Sequence, residues 1–178
     1  MIEVHEVVAF WRDAGPSKWF RGGATFDARC RERLLAPHLA ASRRKLDSWM
    51  GNAEGALALL LLLDQIPRNV FRGSAHAFAT DSLALHFAGR ALDAGFDEAT
   101  DPALRPFFYL PFEHAEDMAA QDRSVRLFEA MGSDEHLRFA HDHRDTIAKF
   151  GRFPHRNAVL GRVSTPAEEA WLEAGGGW

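Results

Sequence analysis

Apolar residues recur at helical spacing along nearly the whole chain. Val4, Val8 and Trp11, for example, lie on one side of a helix predicted over residues 2–14. Runs that alternate apolar and polar residues, as half-buried strands do, are missing from the sequence. The pattern therefore predicts an all-α domain of seven or eight helices, and periodicity alone leaves open whether they form a bundle or an array of antiparallel helix pairs.

Capping residues, glycines and prolines predict where these helices begin and end. We expect Pro37 and Pro67 to end the helices that precede them, because proline has no N–H to donate. Residues 175–178 contain three glycines before a final tryptophan, and we expect them to fray from a single domain of residues 1–178. The remaining predicted helices cover 26–36, 53–66, 82–94, a segment ending at 131, 134–150 and 166–172, with a weak helix over 43–50 and a bent segment over 104–112.

The longest apolar run, residues 56–63, leads directly into a first polar stretch. A helix that is apolar on every side must be buried, so the polar residues that follow it start in or near the core. We expect Pro67 to leave the last carbonyls of this helix in need of donors, which Arg68 and Asn69 can supply. Two interpretations remain, a helix end tied by its own side chains or part of a binding site made by Asp64, Gln65, Arg68 and Asn69.

A second polar stretch covers residues 112–122. If it is one helix, His114 and Gln121 lie on the same inward stripe, and both need hydrogen-bond partners there. Asp117, three residues after His114, is the nearest candidate partner. The pair is either buried packing polarity or a general base, and ion-pair networks make the first interpretation the more common one.

A third polar stretch runs from 141 to 162. His143 shares an inward face with Ile147, and a proline-interrupted loop follows with Arg152, His155, Arg156 and Asn157. Five Lys or Arg residues lie between 144 and 162, whereas four acids lie between 113 and 122. These opposite charges predict either a salt-bridged lock or a pocket whose arginines receive a carboxylate or phosphate.

Composition narrows the classes of function. The chain has 178 residues and a formal charge of -4, which disfavours general nucleic-acid binding. Cys30 is the single cysteine, so no internal disulfide forms and the cytoplasm is the expected compartment. The apolar run is far shorter than the roughly 18 residues of a membrane span, and the first residues carry acids where a leader needs bases. Metal-binding and nucleotide-binding motifs are absent, so we expect no metal and no cofactor.

Four motifs in order resemble a bacterial family catalogued as domain of unknown function 924. They are LLDQIPRNVFRG at 62–73, AFATD at 77–81, EHAEDMAAQDRS at 113–124 and RFPHRNAVLGR at 152–162. The resemblance implies a tetratricopeptide-like array of helix pairs with no established activity. The residues that match the family motifs are Asp64, Gln65, Arg68, Asn69, His114, Glu116, Asp117, Gln121, Arg152, His155, Arg156 and Asn157.

Three hypotheses of function follow. The first is a soluble binding module in which the three polar stretches share one centre that holds a small anion or an acidic peptide. The second is a hydrolase or transferase in which His114 and Asp117 act as general base while Arg152 or Arg156 stabilises charge. The third is a structural or interaction domain whose polar motifs only lock helix ends, with contacts made by exposed aromatics such as Trp171 or Trp178.

Overall fold

A computed structural model describes residues 2–178, and every regular element in that range is helical, which confirms the all-α class. Three short 3-10 turns, Asp47–Gly51, Ala75–Phe78 and Pro154–Arg156, lie between the α-helices. The helices are α1 (Val4–Ala14), α2 (Pro16–Trp19), α3 (Gly23–Ser42), α4 (consecutive segments Ala53–Leu60, Leu61–Gln65 and Ile66–Val70), α5 (Asp81–Asp93), α6 (Pro106–Glu113), α7 (Met118–Met131), α8 (Asp134–Phe150) and α9 (Pro166–Glu173).

The chain divides into two compact units. Unit 1 comprises residues 2–72 and 76–111, and unit 2 comprises 73–75 and 112–178. In unit 1, helices α1, α3 and α5 pack against α4, in which every residue from 56 to 67 is buried. The apolar run therefore forms the core of unit 1, as its pattern predicts.

Helix α3 does not end before Pro37. It begins at Gly23 and continues to Ser42, with Pro37 inside it. The prediction was wrong because a buried face continues past the proline, and its packing outweighs the one backbone hydrogen bond that proline removes. That face is formed by Cys30, Leu34, His38 and Ala41.

The weak helix expected over residues 43–50 is instead a turn. Arg44 adopts a left-handed backbone conformation with φ of 61°, which breaks any α-helix at that point. The segment then closes with the 3-10 turn Asp47–Gly51, and Asn52 caps α4 by accepting a hydrogen bond from the Gly55 N–H at 2.9 Å.

In unit 2, α7 and α8 form the principal helix pair. Gly132 ends α7 in a left-handed conformation, with φ of 74°, and Ser133 caps α8. Gly151, with φ of 70°, ends α8 in the same way. These boundaries agree with the predicted ends at 131 and 150. Among residues 2–178, no helix combines the length and the apolar character needed to cross a bilayer.

Candidate functional site

Helix α4 continues through Pro67 because a π-helical turn, Leu61–Gln65, precedes the proline. The Ile66 N–H donates to the Leu61 carbonyl, five residues back, instead of the Leu62 carbonyl. Side chains from other elements hydrogen-bond to the backbone carbonyls that this turn and the proline leave without a partner in the helix. His38 Nδ1 lies 2.8 Å from the Leu62 oxygen, and Thr80 Oγ1 donates to the Leu63 oxygen at 2.5 Å. The predicted helix end at Pro67 was therefore wrong.

The first polar stretch supplies the remaining donors at this turn. Arg68 donates to the Asp64 carbonyl at 2.7 Å, and Asn69 Nδ2 donates to the Gln65 carbonyl at 3.0 Å. Arg68 also forks onto the Asp81 carboxylate, with N···O distances of 2.8 and 2.9 Å. Burial favours a lower pKa for Arg68, but Asp64 and Asp81 outweigh that effect and hold the pKa above its ordinary value. These contacts tie the last turns of α4 by the helix's own side chains, as the first interpretation expected, although the helix ends at Val70 and not at Pro67.

The second polar stretch is not one helix. Helix α6 ends at Glu113 and α7 begins at Met118, with Asp117 as the N-cap that accepts the Ala120 N–H at 2.8 Å. The expectation that His114 and Asp117 share a helix was therefore wrong, because the capping carboxylate starts a new helix between them and Gln121.

Gln121 closes the end of α6 from within unit 2. Its side chain is fully buried, and Nε2 donates to the carbonyls of Glu113 at 2.6 Å and Ala115 at 2.8 Å. The last carbonyls of a helix lack partners within that helix, so a side-chain amide placed there satisfies them. The inward position predicted for Gln121 is correct, and its amide nitrogen stabilises a helix end.

The second and third stretches meet through Glu116 and Arg162. The Arg162 guanidinium forks onto the Glu116 carboxylate at 2.7 and 2.9 Å, and the same carboxylate accepts the Phe153 N–H at 2.7 Å. Burial favours a raised pKa for Glu116, but the bonds from Arg162 and Phe153 outweigh it and hold the pKa below its usual value. The salt-bridged lock expected between these two stretches is present here, and Asp122 with Arg144 adds a second pair at 2.7 Å.

Arg152 is held in a second fork by Glu168, a residue that the sequence analysis missed. Both N···O distances are 2.7 Å, and Glu168 is 2 % exposed. Thr165 and Glu168 form a capping box at the start of α9, and Asn157 Nδ2 lies 3.3 Å from the same carboxylate. The spacing of Thr165 and Glu168 is the signal that would have found this acid.

A cluster of rings surrounds His143, which is buried on the inward face of α8 as predicted. Its Nδ1 lies 2.8 Å from the Phe139 carbonyl and 2.8 Å from Nε1 of Trp178. One tautomer donates to the carbonyl, and the other accepts from the indole. The imidazole also has ring contacts with Phe153 at 5.5 Å and with His114 at 6.2 Å between centroids.

The two imidazoles that contact Trp178, the buried His143 and the half-buried His155, are neutral near pH 7. Burial, reinforced by the nearby His114 and Arg156, lowers the pKa of His143 to about 2. The 3.5 Å contact between His143 and Glu113 is consequently not an ion pair in the neutral pH range. Burial and then Arg156 lower the pKa of His155 to about 4.

The final residues lie against this cluster. The Gly176 N–H donates to the Trp171 carbonyl at 2.9 Å, and the Trp178 ring lies 5.1 Å from His155. A Cβ at Gly176 would approach the Trp171 ring to about 2.2 Å, so only glycine fits there. Trp178 was expected to be an exposed aromatic at the end of a frayed tail, and its contact with the buried His143 was not predicted.

An open groove of about 370 Å³ lies between α8 and these final residues, and we call it the aromatic groove. Aromatic rings form part of its wall, charged side chains of α8 form another part, and a threonine and a glycine complete it. The residues that line it are Phe139, Asp142, Asp145, Thr146, Lys149, Trp171, Gly177 and Trp178.

The structure thus places the sequence-predicted residues in two groups. Within residues 2–178, no three His, Cys, Asp or Glu side chains are arranged to hold a metal ion. That all three polar stretches share one centre stays a prediction. Unit 1 contains Asp64, Gln65, Arg68 and Asn69, and unit 2 contains His114, Glu116, Asp117, Gln121, His143, Arg152, His155, Arg156 and Asn157.

Comparison with known proteins gives a family and no activity. The family model for a bacterial protein of unknown function, DUF924, matches residues 7–176. A solved structure of a protein of unknown function from Agrobacterium tumefaciens is 51% identical and superposes with a TM-score of 0.93. The match covers 96% of this chain and 97% of that chain. No curated protein matches the sequence.

Proposed function

The chain belongs to the bacterial DUF924 family of proteins of unknown function, and we propose that it is a binding module whose ligand occupies the aromatic groove. The observation that carries this proposal is that Trp171 and Trp178 line an open groove, with Trp178 still 50% exposed. Exposed indole rings beside a concavity are typical of recognition sites, because they give a large contact area at a small entropic cost.

The arginines of the polar motifs support this proposal indirectly, because they already bind carboxylates of the chain itself. Arg152 and Arg162 already hold carboxylates in two-point contacts, and Arg68 holds Asp81. Such forks are the usual means by which arginine binds an anion, so these residues act as locks of the fold. The hypothesis of a lock-and-interaction domain therefore has more structural support than the hypothesis of an arginine-lined anion pocket.

One specific observation still supports the hypothesis that the ligand is an anion. A second groove, of about 480 Å³, is lined in part by Lys149, Arg152 and Thr165, and a small anion or the acidic end of a peptide would bind there. Glu168 lines the same groove and already neutralises Arg152, which makes this the second candidate.

Catalysis by His114 and Asp117 has less support. The Asp117 carboxylate already accepts the Ala120 N–H as the cap of α7, and it does not share a helix with His114. We further propose a cytoplasmic location, because the single cysteine is buried and reduced, and a tetratricopeptide-like arrangement, from the family resemblance. A role without nucleic acid accords with the net acidic charge.

The experiment that tests the binding proposal is a nuclear magnetic resonance screen of the full chain against small amines, acids, neutral compounds and short peptides. The indole N–H signals of Trp171 and Trp178 report directly on the groove. We expect at least one class of compound to shift these two signals. In the Trp171→Ala variant, the same compound should no longer shift the remaining Trp178 signal. Phe20→Ala, which removes an exposed ring in unit 1, is the control. Signals that stay unchanged with every class would reject the proposal.

A further inference from the structure

We infer that the ligand of the aromatic groove is a small organic cation carrying a guanidinium or alkylammonium group. This inference rests on the proposed function and adds the charge of the ligand. It reverses the anion that the sequence suggested, because the residues that line the groove differ from those of the arginine-rich loop.

The rings provide the first argument. The Trp171 and Trp178 ring centroids lie 6.4 Å apart with an interplanar angle of 66°, so the two indoles form a corner. Tryptophan is the aromatic side chain that attracts cations most strongly, over distances up to about 6 Å from the ring centre. The third ring of the lining, Phe139, already has a cation of this chain over it, since the Arg138 guanidinium carbon lies 5.1 Å from its centroid, so the two indoles are the rings left for a ligand.

The charges along α8 provide the second argument. Asp142 and Asp145 are three residues apart, so both lie on one side of the helix, and both line the groove. The opposing charges are Lys149, which also lines the groove, Arg144, whose guanidinium lies 3.5 Å from Asp145, and Arg138, which lies over the Phe139 ring. The Lys149 ammonium lies 4.9 Å from the centre of the Phe150 ring, and the Asp145 side chain remains 74% exposed. Two aspartates against one lysine thus leave the lining residues themselves with a net negative charge.

The neutral histidines remove a competing source of positive charge. His143 contacts Trp178 at 3.8 Å between ring centroids, and His155 contacts it at 5.1 Å. Their pKa values of about 2 and about 4 mean that both are uncharged near pH 7. Acidic residues also outnumber basic ones in unit 2, whereas the two balance in unit 1. The net negative charges of the lining residues and of unit 2 thus favour a cation, against the positive charge of Arg156 near the two histidines.

The size of the groove favours a small compound. A volume of about 370 Å³ is at the lower end of the range for small-molecule sites, roughly 300 to 1,000 Å³. It accommodates one guanidinium or ammonium group with its alkyl chain. A small cationic compound is therefore the occupant that both the volume and the charge support.

The test compares three capped amino acids that differ in charge, added to the full chain while the Trp171 and Trp178 signals are followed. N-acetyl-arginine methylamide is the cation, the citrulline derivative is its neutral isostere, and the glutamate derivative is the anion. We expect the arginine compound to bind at least about 10-fold more tightly than the citrulline compound, which removes only the charge, and the glutamate compound not to bind. Salt should weaken only the arginine compound.

Variants assign the charge effect to the groove. Asp142→Asn and Asp145→Asn should each weaken the arginine compound about 3-fold or more and leave the citrulline compound unchanged. Glu129→Gln removes the same charge from an exposed site on α7 outside the groove and should change neither. Unaltered signals elsewhere in the spectrum verify that each variant is folded.

Each other result overturns a defined part of the argument. Equal affinities for arginine and citrulline would reject the cation and leave the binding proposal standing. A preference for glutamate would favour the second groove. An arginine-containing tripeptide that binds over 10-fold more tightly than capped arginine would replace the small compound with a peptide. Silence of both tryptophan signals throughout the wider screen would reject the proposed function itself.

Discussion

Arg152 and Glu168 meet in a two-point contact, with both nitrogen–oxygen distances at 2.7 Å. The fork ties the loop that follows α8 to the first turn of α9, where Thr165 also donates its N–H to Glu168 at 2.8 Å. The Arg152 bonds, with those from Thr165, lower the pKa of Glu168 to about 2. The carboxylate is thus a structural anion that holds two segments of unit 2 together.

The Glu168 fork predicts a loss of stability in acid. The ordinary pKa of this carboxyl group is 4.5, so its contribution is complete above about pH 4.5 and disappears as the pH falls toward 2. Glu168→Gln should therefore lower the urea midpoint at pH 7, and its difference from the wild type should shrink between pH 5 and pH 2.5. Glu169→Gln, at the next exposed position, is the control. A difference that does not change with pH would show that the charge of Glu168 has no part in stability.

The buried imidazole of His143 predicts a second pH effect, over a higher range. Its pKa is lowered from 6.5 to about 2 by burial and then by His114. Below about pH 6.5 the unfolded chain therefore binds a proton that the folded chain does not bind. This group should cost about 1.4 kcal/mol of stability for each pH unit below that value. His143→Gln should flatten the pH dependence between pH 6.5 and pH 5, whereas His141→Gln, on the exposed side of α8, should not.

Imidazole resonances provide the independent check on His143. Its ring signals should stay at their neutral positions from pH 8 to pH 5. A titration of His143 centred near pH 6.5 would show that the ring is protonated in the folded chain, and the predicted effect on stability would then be wrong.

The π turn of α4 predicts a specific cost for losing the hydroxyl of Thr80. Leu63 would normally share its carbonyl with the N–H of residue 67, which is proline, so the Thr80 bond at 2.5 Å replaces that partner. Thr80→Val keeps the shape and should destabilise the chain by about 1 to 2 kcal/mol in urea unfolding, since it leaves a buried carbonyl unpaired. Thr25→Val at an exposed position of α3 is the control, and equal effects of the two variants would contradict the argument.

The sequence predicts the parts of this fold that depend on near neighbours. The burial of residues 56–67 follows from a run with no polar face, and Gly132 and Gly151 end their helices by a local rule of backbone conformation. Pro67 misled the prediction because its effect depends on distant groups. The donors to the Leu62 and Leu63 carbonyls, His38 and Thr80, lie 24 and 17 residues away along the chain.

The candidate site shows the same division. Opposite charges on the second and third stretches predicted a lock, and Glu116 with Arg162 forms one across 46 residues. The partner of Arg152 was missed although the capping-box spacing of Thr165 and Glu168 is local and visible. Trp178 follows three glycines and contacts His143 across 35 residues, so no local pattern predicts this contact.

Ser124 predicts a substitution that stabilises the chain. Its hydroxyl lies on the inward face of α7, is fully buried, and has no hydrogen-bond partner among residues 2–178. Ser124→Ala removes this desolvated group and places a better helix former inside α7, so the free energy of unfolding should rise by about 1 kcal/mol. Ser133→Ala is the matched contrast, because Ser133 caps α8 and lies 2.8 Å from His136 Nδ1. Its loss should lower the free energy of unfolding by about 1 kcal/mol. If Ser124→Ala instead destabilises the chain, the hydroxyl has a partner in solution.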